Sequence, residues 1–268
     1  MMIITASLVL YKNKSEEIDN IIPVLTNSIL NIIFIIDNSP IDNLRYLFKN
    51  KKFIYIHNPV NPGFGSSHNI AFDLSFYFDS NYHFLINPDI IFDNNDVFSS
   101  MINYIDNDDA IGMMMPEILN LDKTKQHLPK LIPSPLDLIR RKLKFYNNFK
   151  FLNKYELRFV EDKLIYNTPI LSGCFLLLRT SILKEIGKFD EKYFMYFEDF
   201  DLSRRFHQNY KTIYFPKVSV THKYQSGANK KFKLFLIFIN SAIIYFNKWG
   251  WINDQERIYL NNKTLNQF

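Results

Sequence analysis

Residues 194–206 read FMYFEDFDLSRRF, three acids and two arginines set among aromatic rings. A carboxylate beside such rings is costly to bury unless it is paired, hydrogen-bonded or used. Asp201 and Arg205 have the i,i+4 spacing of an ion pair on one helix face, and acids in a first turn suit the positive end of the helix dipole. That accounts for two residues and leaves the adjacent pair Glu198 and Asp199 over.

Other chemistry-bearing residues cluster where strands would end. In INPDI, Asp89 beyond a parallel strand could hold a divalent cation that neutralises a diphosphate, or could belong to an ordinary Asn-Pro-Asp turn. NPGFGSSHN (61–69) places two glycines before a helix, where backbone N–H groups can meet phosphate or ribose. It is neither a P-loop nor a GxGxxG fingerprint, and a plain loop-to-helix junction reads equally well. Asp37 could accept from a base N–H or a ribose hydroxyl, or cap the following helix. His222 could complete a metal site with Asp89, or be a surface histidine.

The elements that must position these residues alternate. Strands are expected at 3–11, 31–39, 52–59 and 82–89, with helices at 15–29 and 66–78 between them. Such alternation predicts an α/β fold with a mostly parallel, doubly wound sheet, whose ligands sit beyond the carboxyl ends of the strands. Residues 122–163 read as a basic, proline-broken insert containing IRRKLKF. Then follow a strand at 170–179, a short helix, extended chain at 211–222 and an apolar helix at 229–251.

At 268 residues, with 47% hydrophobic and 22% charged residues, the chain can bury a sizeable core. Seven glycines are few, so each is expected at a tight backbone position. The single cysteine, Cys174, excludes an intrachain disulfide and points to a reducing compartment. The apolar start reads as a buried strand, not a signal peptide, and no stretch reaches the ~20 apolar residues of a bilayer span. A cytoplasmic protein is expected. The net charge of +5 suits nucleic acid, anionic lipid or a phosphorylated substrate without choosing among them.

Taken together, IIDNSP, NPGFGSSHNIAF, FLINPDI, GCFLLLR and IGKFDEKYFMYFEDFDLSRRF, with the strand-end histidine, resemble the family 2 glycosyltransferases in order and spacing. The likeness is to their rhamnosyltransferase-like branch, including O-antigen rhamnosyltransferases. It implies a GT-A fold: a Rossmann-like, mostly parallel sheet with helices on both faces and a C-terminal acceptor-binding part. It implies one domain, with a nucleotide-sugar half at 1–116, an acceptor and catalytic half at 117–228 holding the 122–163 insert, and a membrane-proximal helix at 229–268. Asp199 then matches the catalytic base, with Glu198 orienting the acceptor or the base. Ser7, Asp37, Asn61, Gly63, Phe64, Gly65, Asn69, Asn87, Asp89 and Arg205 are the expected donor-binding set. Asp89 and His222 are the expected ligands of Mg2+ or Mn2+. Asn87 replaces the first acid of the family's Asp-x-Asp, which implies a weaker metal site.

The resemblance further implies dTDP-L-rhamnose as donor and a polyprenyl-diphosphate-linked sugar as acceptor, at the cytoplasmic face of the inner membrane. Another donor, such as a galactofuranosyl or N-acetylhexosaminyl nucleotide, remains open. A sugar-1-phosphate nucleotidyltransferase would need a glycine-rich triphosphate loop, which LVLYKNKSEE lacks. A nucleic-acid-binding protein would need a continuous basic stripe, and none is expected here. Lys230, Lys231 and Lys233 before the last apolar helix, and Lys248, Trp249 and Trp251 after it, suit a lipid headgroup interface.

Overall fold

In the computed structural model, which describes residues 2–93, 96–142, 148–223 and 232–268, the first half follows directly from strand alternation. Strand β1 (Ile4–Leu10) pairs in parallel with β2 (Ile32–Asp37), and β2 with β3 (Phe53–His57). Successive side chains of β2 point to opposite faces. Ile33 and Ile35 join a core that includes Ile18, Ile21 and Leu25 of helices α1 (Ser15–Ile18) and α2 (Ile21–Asn27). Phe34 and Ile36 pack with Ala71, Ile70 and Leu74 of α3 (Phe64–Tyr77). Helices therefore cover both faces.

Among the described residues the sheet has nine strands, in the order β3-β2-β1-β4-β8-β6-β9-β5, with β7 against β9. The remaining strands are β4 (Tyr82–Ile86), β5 (Ile90–Phe92), β6 (Ile111–Leu119), β7 (Tyr166–Asn167), β8 (Phe175–Arg179) and β9 (Lys211–His222). Because β8 is antiparallel to both β4 and β6, and β9 is parallel to β6, strands β1 to β4, β6 and β9 run the same way. Their carboxyl ends lie along one edge, which carries Asp37, Asn87 to Asp89 and His222. The other helices are α4 (Val97–Ile105), α5 (Pro135–Lys142), α6 (Asn148–Tyr155), α7 (Thr180–Ile186), α8 (Glu198–Asn209), α9 (Phe232–Trp249) and α10 (Gln255–Leu265).

Several elements depart from expectation for identifiable reasons. The single helix expected at 15–29 is two, broken at Asp19–Asn20; the break puts Pro23 in a first turn, where its missing N–H costs nothing. Strand β6, α4 and α10 were not anticipated. Pro116 disguises β6, and the structure accommodates it with a register shift at Pro116/Glu117. Residues 170–174 leave the expected strand and take on a different task described below. Among the described residues, no helix is long and apolar enough to cross a membrane.

Candidate active site

Three segments converge at the carboxyl edge of the sheet: the turn after β4, the 171–174 linker, and the start of α8. The linker joins them. Asn87 N–H donates to Cys174 O at 2.9 Å, and Gly173 N–H donates to Asp199 Oδ2 at 3.0 Å. Cys174 thus lies between Asp89 and Asp199; burial first, then both carboxylates, push its thiol up to about 12. Added bulk at Gly173 would meet the Asp199 Cβ at 3.3 Å and the Phe64 ring at 3.3 Å, so this scarce glycine marks a close approach.

Helix α8 begins abruptly. Tyr196 and Phe197 have φ of +72° and +67°, a left-handed conformation that costs a non-glycine residue about 1–3 kcal/mol and clusters at functional sites. It aims the next two residues into the convergence. Asp199 accepts from Gly173 N–H and, through Oδ1, from Phe200 N–H at 2.9 Å. Its ionisation is shifted upward by burial, against the opposing effect of those N–H donors and of the Lys130 charge. Glu198 is buried, its Oε2 has no hydrogen-bond partner, and burial followed by the Asp199 charge raises it well above the usual carboxylate range. Of the two, Glu198 is pushed up the further, and Asp199 alone has N–H donors that favour its ionised form.

The glycine loop abuts the same place. Asn61 has φ +49° and Gly63 φ +106°; a Cβ on Gly63 would lie 2.3 Å from Phe194 O, and Phe64 N–H donates to that same oxygen at 2.9 Å. A Cβ on Gly65 would lie 2.9 Å from the Phe189 Cβ and 3.5 Å from the Glu198 Cβ. These glycines are required by close packing between the start of α3 and the 189–197 loop.

Asp89 and His222 meet as expected, Oδ1 to Nε2 at 3.2 Å, because β5 pairs with the end of β9 and sets Ile90 opposite His222. Gln126 gives its Nε2 to the carbonyls of Leu119 and His222, which leaves its Oε1 to accept from His222 Nδ1–H at 3.4 Å. Both ring nitrogens thus face acceptors, Nδ1 the Gln126 Oε1 and Nε2 the Asp89 Oδ1, and a cation bound between Nε2 and Asp89 would have Gln126 as the outer partner that orients the ring. One carboxylate and one imidazole suit a divalent cation that takes its other ligands from water and substrate phosphate. Among the described residues no cluster of three or more His, Cys, Asp or Glu exists to hold a metal by itself.

Four expected donor contacts are placed otherwise. Ser7 is fully buried, bonding His68 Nδ1 and His83 Nε2 at 2.8 Å each inside the core. Asn69 clamps the Phe189 backbone with both ends of its amide. Arg205 bonds Asp201 and the carbonyls of Ile186, Gly187 and Lys188. All three are inward-facing supports of the loops that wall the site. Asp37 is fully buried, accepting from Ser39 N–H at 2.8 Å and from the Tyr55 hydroxyl. The lipid-facing anchors expected at the end of α9 are engaged too. Lys248 reaches Asp201 at 2.8 Å and Asp190 at 3.1 Å, and the Trp249 indole donates to Asp201. Lys230 and Lys231 lie outside the described residues.

The profile of "Glycosyl transferase family 2" matches residues 8–187, from β1 through α7, and ends before Glu198. A stretch of 53 residues is 45% identical to an "N-acetylglucosaminyl-diphospho-decaprenol L-rhamnosyltransferase" of Mycobacterium tuberculosis, in strains CDC 1551 / Oshkosh and ATCC 25618 / H37Rv. It covers 19% of this chain and only 17% of that relative. GalNAc-T7, solved with UDP, GalNAc and Mn2+, shares the fold with a TM-score of 0.60 at 13% identity, over 84% of this chain and 44% of that one. TarS of S. aureus does so with a TM-score of 0.59 at 12% identity, over 99% of this chain and 43% of that one. These neighbours are GT-A glycosyltransferases, so the curled, mostly parallel sheet is a GT-A fold. Because the family match runs through well over half of the residues, the chain belongs to glycosyl transferase family 2.

Proposed function

We propose that this glycosyltransferase is an inverting enzyme that moves L-rhamnose from dTDP-L-rhamnose to a polyprenyl-diphosphate-linked sugar in cell-surface polysaccharide (O-antigen or capsule) assembly. The observation that carries the transfer reading is Asp199. It is an acid without a contacting cation among the described residues, half-buried at a helix start, and joined through Gly173 and Cys174 to the turn that bears Asp89. Asp199 takes the proton of the acceptor hydroxyl as that oxygen bonds the anomeric carbon. The bond from that carbon to the donor phosphate breaks, the nucleoside diphosphate leaves with the electron pair, and the configuration inverts. Burial makes Asp199 a better base than an exposed aspartate, while its two N–H donors keep it ionised. Glu198, neutral beside it, orients the base. Asn61 to Gly65 and Asn87 flank the donor. Asp89 and His222 would hold Mg2+ or Mn2+, which supplies charge neutralisation for the departing diphosphate.

The rhamnose assignment leans on the short mycobacterial likeness, whose name carries both the sugar and a decaprenyl diphosphate acceptor. The membrane assignment leans on α9. Its Phe232, Leu236, Ile239 and Ile243 are exposed at helical spacing, while Ala242, Tyr245 and Phe246 are buried in a cluster. Helix α5 packs on that cluster through Leu138 and exposes Leu136, Ile139 and Arg140. An apolar stripe with basic neighbours suits the cytoplasmic face of an anionic membrane.

One assay separates these statements. Transfer is measured from a panel of dTDP-rhamnose, UDP-galactofuranose and UDP-N-acetylhexosamines to polyprenyl-diphosphate-linked N-acetylglucosamine. The acceptor is presented in anionic or neutral vesicles, with Mg2+, with Mn2+ or with chelator. Turnover is expected only with dTDP-rhamnose and added metal, and faster on anionic vesicles. A different donor replaces rhamnose, full activity in chelator removes the metal, and indifference to lipid charge removes the membrane face.

A further inference from the structure

Residues 120–126 lead into the basic insert, and they fold back on the carboxyl edge of the sheet. Strand β6 ends at Leu119 and the chain turns at once: Lys123 N–H donates to Asn120 O at 2.9 Å, and Asn120 N–H to Thr124 O at 2.8 Å. Leu119 and Lys125 then form an antiparallel bridge, and Gln126 N–H donates to Ile118 O at 2.8 Å. Ile118 and Leu119 also pair with Val220 and Thr221 of β9, so this return sets Gln126 beside His222, the last residue of that strand. The turn is pinned a second time. Lys123 Nζ donates to Asp93 Oδ1 at 2.6 Å and to Thr221 Oγ1 at 3.0 Å, next to His222.

Strand pairing fixes the backbone of His222 opposite Ile90 but leaves its ring free to turn among rotamers. Two side chains are set against that ring. Asp89 Oδ1 stands 3.2 Å from Nε2, and Gln126 Oε1 stands 3.4 Å from Nδ1. Gln126 is itself held, because its Nε2 donates to His222 O at 3.1 Å and to Leu119 O at 3.4 Å. Its amide cannot turn over without setting an oxygen against two carbonyl oxygens. One side chain thus grips His222 twice, by the backbone carbonyl and by the ring.

We propose that Gln126 is a positioning residue for the divalent cation, and that the insert contributes to the site through it. This rests on Asp89 and His222 being the ligands of that cation. Gln126 acts through His222 and is not itself a ligand. It holds the ring with Nε2 turned to Asp89, so the two ligands are aligned before binding. A ring free to rotate would have to be ordered at the moment of binding, and that cost appears as lost affinity.

The test is Mn2+ binding, followed by electron paramagnetic resonance with dTDP and in parallel with UDP. It compares the wild type, Gln126→Met and Gln126→Ala, each checked for fold by circular dichroism and thermal melting. Methionine keeps the length of the side chain and removes both donor and acceptor. Gln126 is half-buried, so water can reach the carbonyls it leaves and folding is expected to survive; Gln126→Ala is the second variant should it not. Mn2+ affinity is expected to fall by on the order of 10- to 100-fold, the usual effect of losing such an outer partner. Nucleotide affinity in chelator, measured by calorimetry, should stay at the wild-type value. Transfer should drop at limiting Mn2+ and recover as Mn2+ is raised, because both ligands are intact. Mn2+ affinity within about twofold of wild type in a folded variant overturns the proposal. So does an equal loss of nucleotide affinity in chelator, which would make Gln126 a support of the fold alone. If the wild type binds no Mn2+ with either nucleotide, the metal reading of Asp89 and His222 fails and this role with it, and the wild-type arm alone reveals that.

Discussion

Helix α8 carries two sets of acids within four residues, in opposite surroundings. Asp201, fully buried, receives Arg205 Nε at 3.0 Å, Lys248 Nζ at 2.8 Å and the Trp249 indole at 2.8 Å. Beside it Arg204 forks onto Asp254 at 2.6 and 2.7 Å and lies over the Trp249 ring at 4.1 Å. Glu198 and Asp199, three and two residues earlier, have no cation in contact among the described residues. The same residue type thus does two jobs. Where cations close around it, the carboxylate ties α8 to α9 and α10. Where they are withheld, it keeps a proton or remains able to take one.

The largest expected effect breaks the unpaired set. Asp199→Asn keeps the shape, replaces one of the two accepting oxygens by an NH2 and removes the proposed base, and should reduce transfer by on the order of 10² to 10⁴. Donor affinity, measured by calorimetry with the nucleoside diphosphate, should stay close to wild type. Near-normal turnover would make Asp199 another structural acid and erase the contrast.

Breaking the paired set should do the reverse. Arg204→Met leaves Asp254 buried without its partner, a change worth about 3–5 kcal/mol of stability. Urea unfolding should show that loss, while the surviving folded enzyme transfers sugar at nearly the wild-type rate per molecule. Lost turnover with unchanged stability would place Arg204 in the reaction and contradict the division drawn here.

How much of this was legible depended on whether a residue's role is set locally. Asp89, His222 and Asp199 stand at strand ends and a helix start, and such positions can be read from periodicity and motif order. The i,i+4 pair of Asp201 and Arg205 is equally local. Ser7 and Asn69 lie in the right segments but face inward, and a one-residue change of direction on a strand or helix cannot be seen in a motif. Gln126 was invisible for another reason. NLDKTKQH looks like exposed loop, and only the return of the chain onto β6 carries Gln126 to His222, ninety-six residues further on. Gly173 gave a fainter signal, one of seven glycines in a glycine-poor chain, and its N–H holds the Asp199 carboxyl. The residues that support the site come from distant segments, and it was these that the sequence concealed.

The smallest expected effect concerns Glu198, which belongs to the unpaired set but does not take the proton. Its carboxyl is held well above the usual range by burial and then by Asp199. The unfolded chain releases that proton near pH 4.5, the ordinary glutamate value, while the folded chain retains it. The folded form is therefore favoured by this group at low pH, and the advantage drains away as pH rises toward the folded-state value. Glu198→Gln removes the titration and leaves a neutral group of the same shape, much like the protonated acid it replaces. The variant should match wild type in stability near pH 4 and exceed it by about 1–2 kcal/mol at pH 6, at a limiting slope of about 1.4 kcal/mol per pH unit. Urea midpoints taken across that interval give the measurement directly. Because a protonated Glu198 is no base, transfer should fall far less than in Asp199→Asn. Stability curves that run parallel from pH 4 to 6 would mean that Glu198 ionises in the folded protein, and that the two neighbours share their burden more evenly than their surroundings imply.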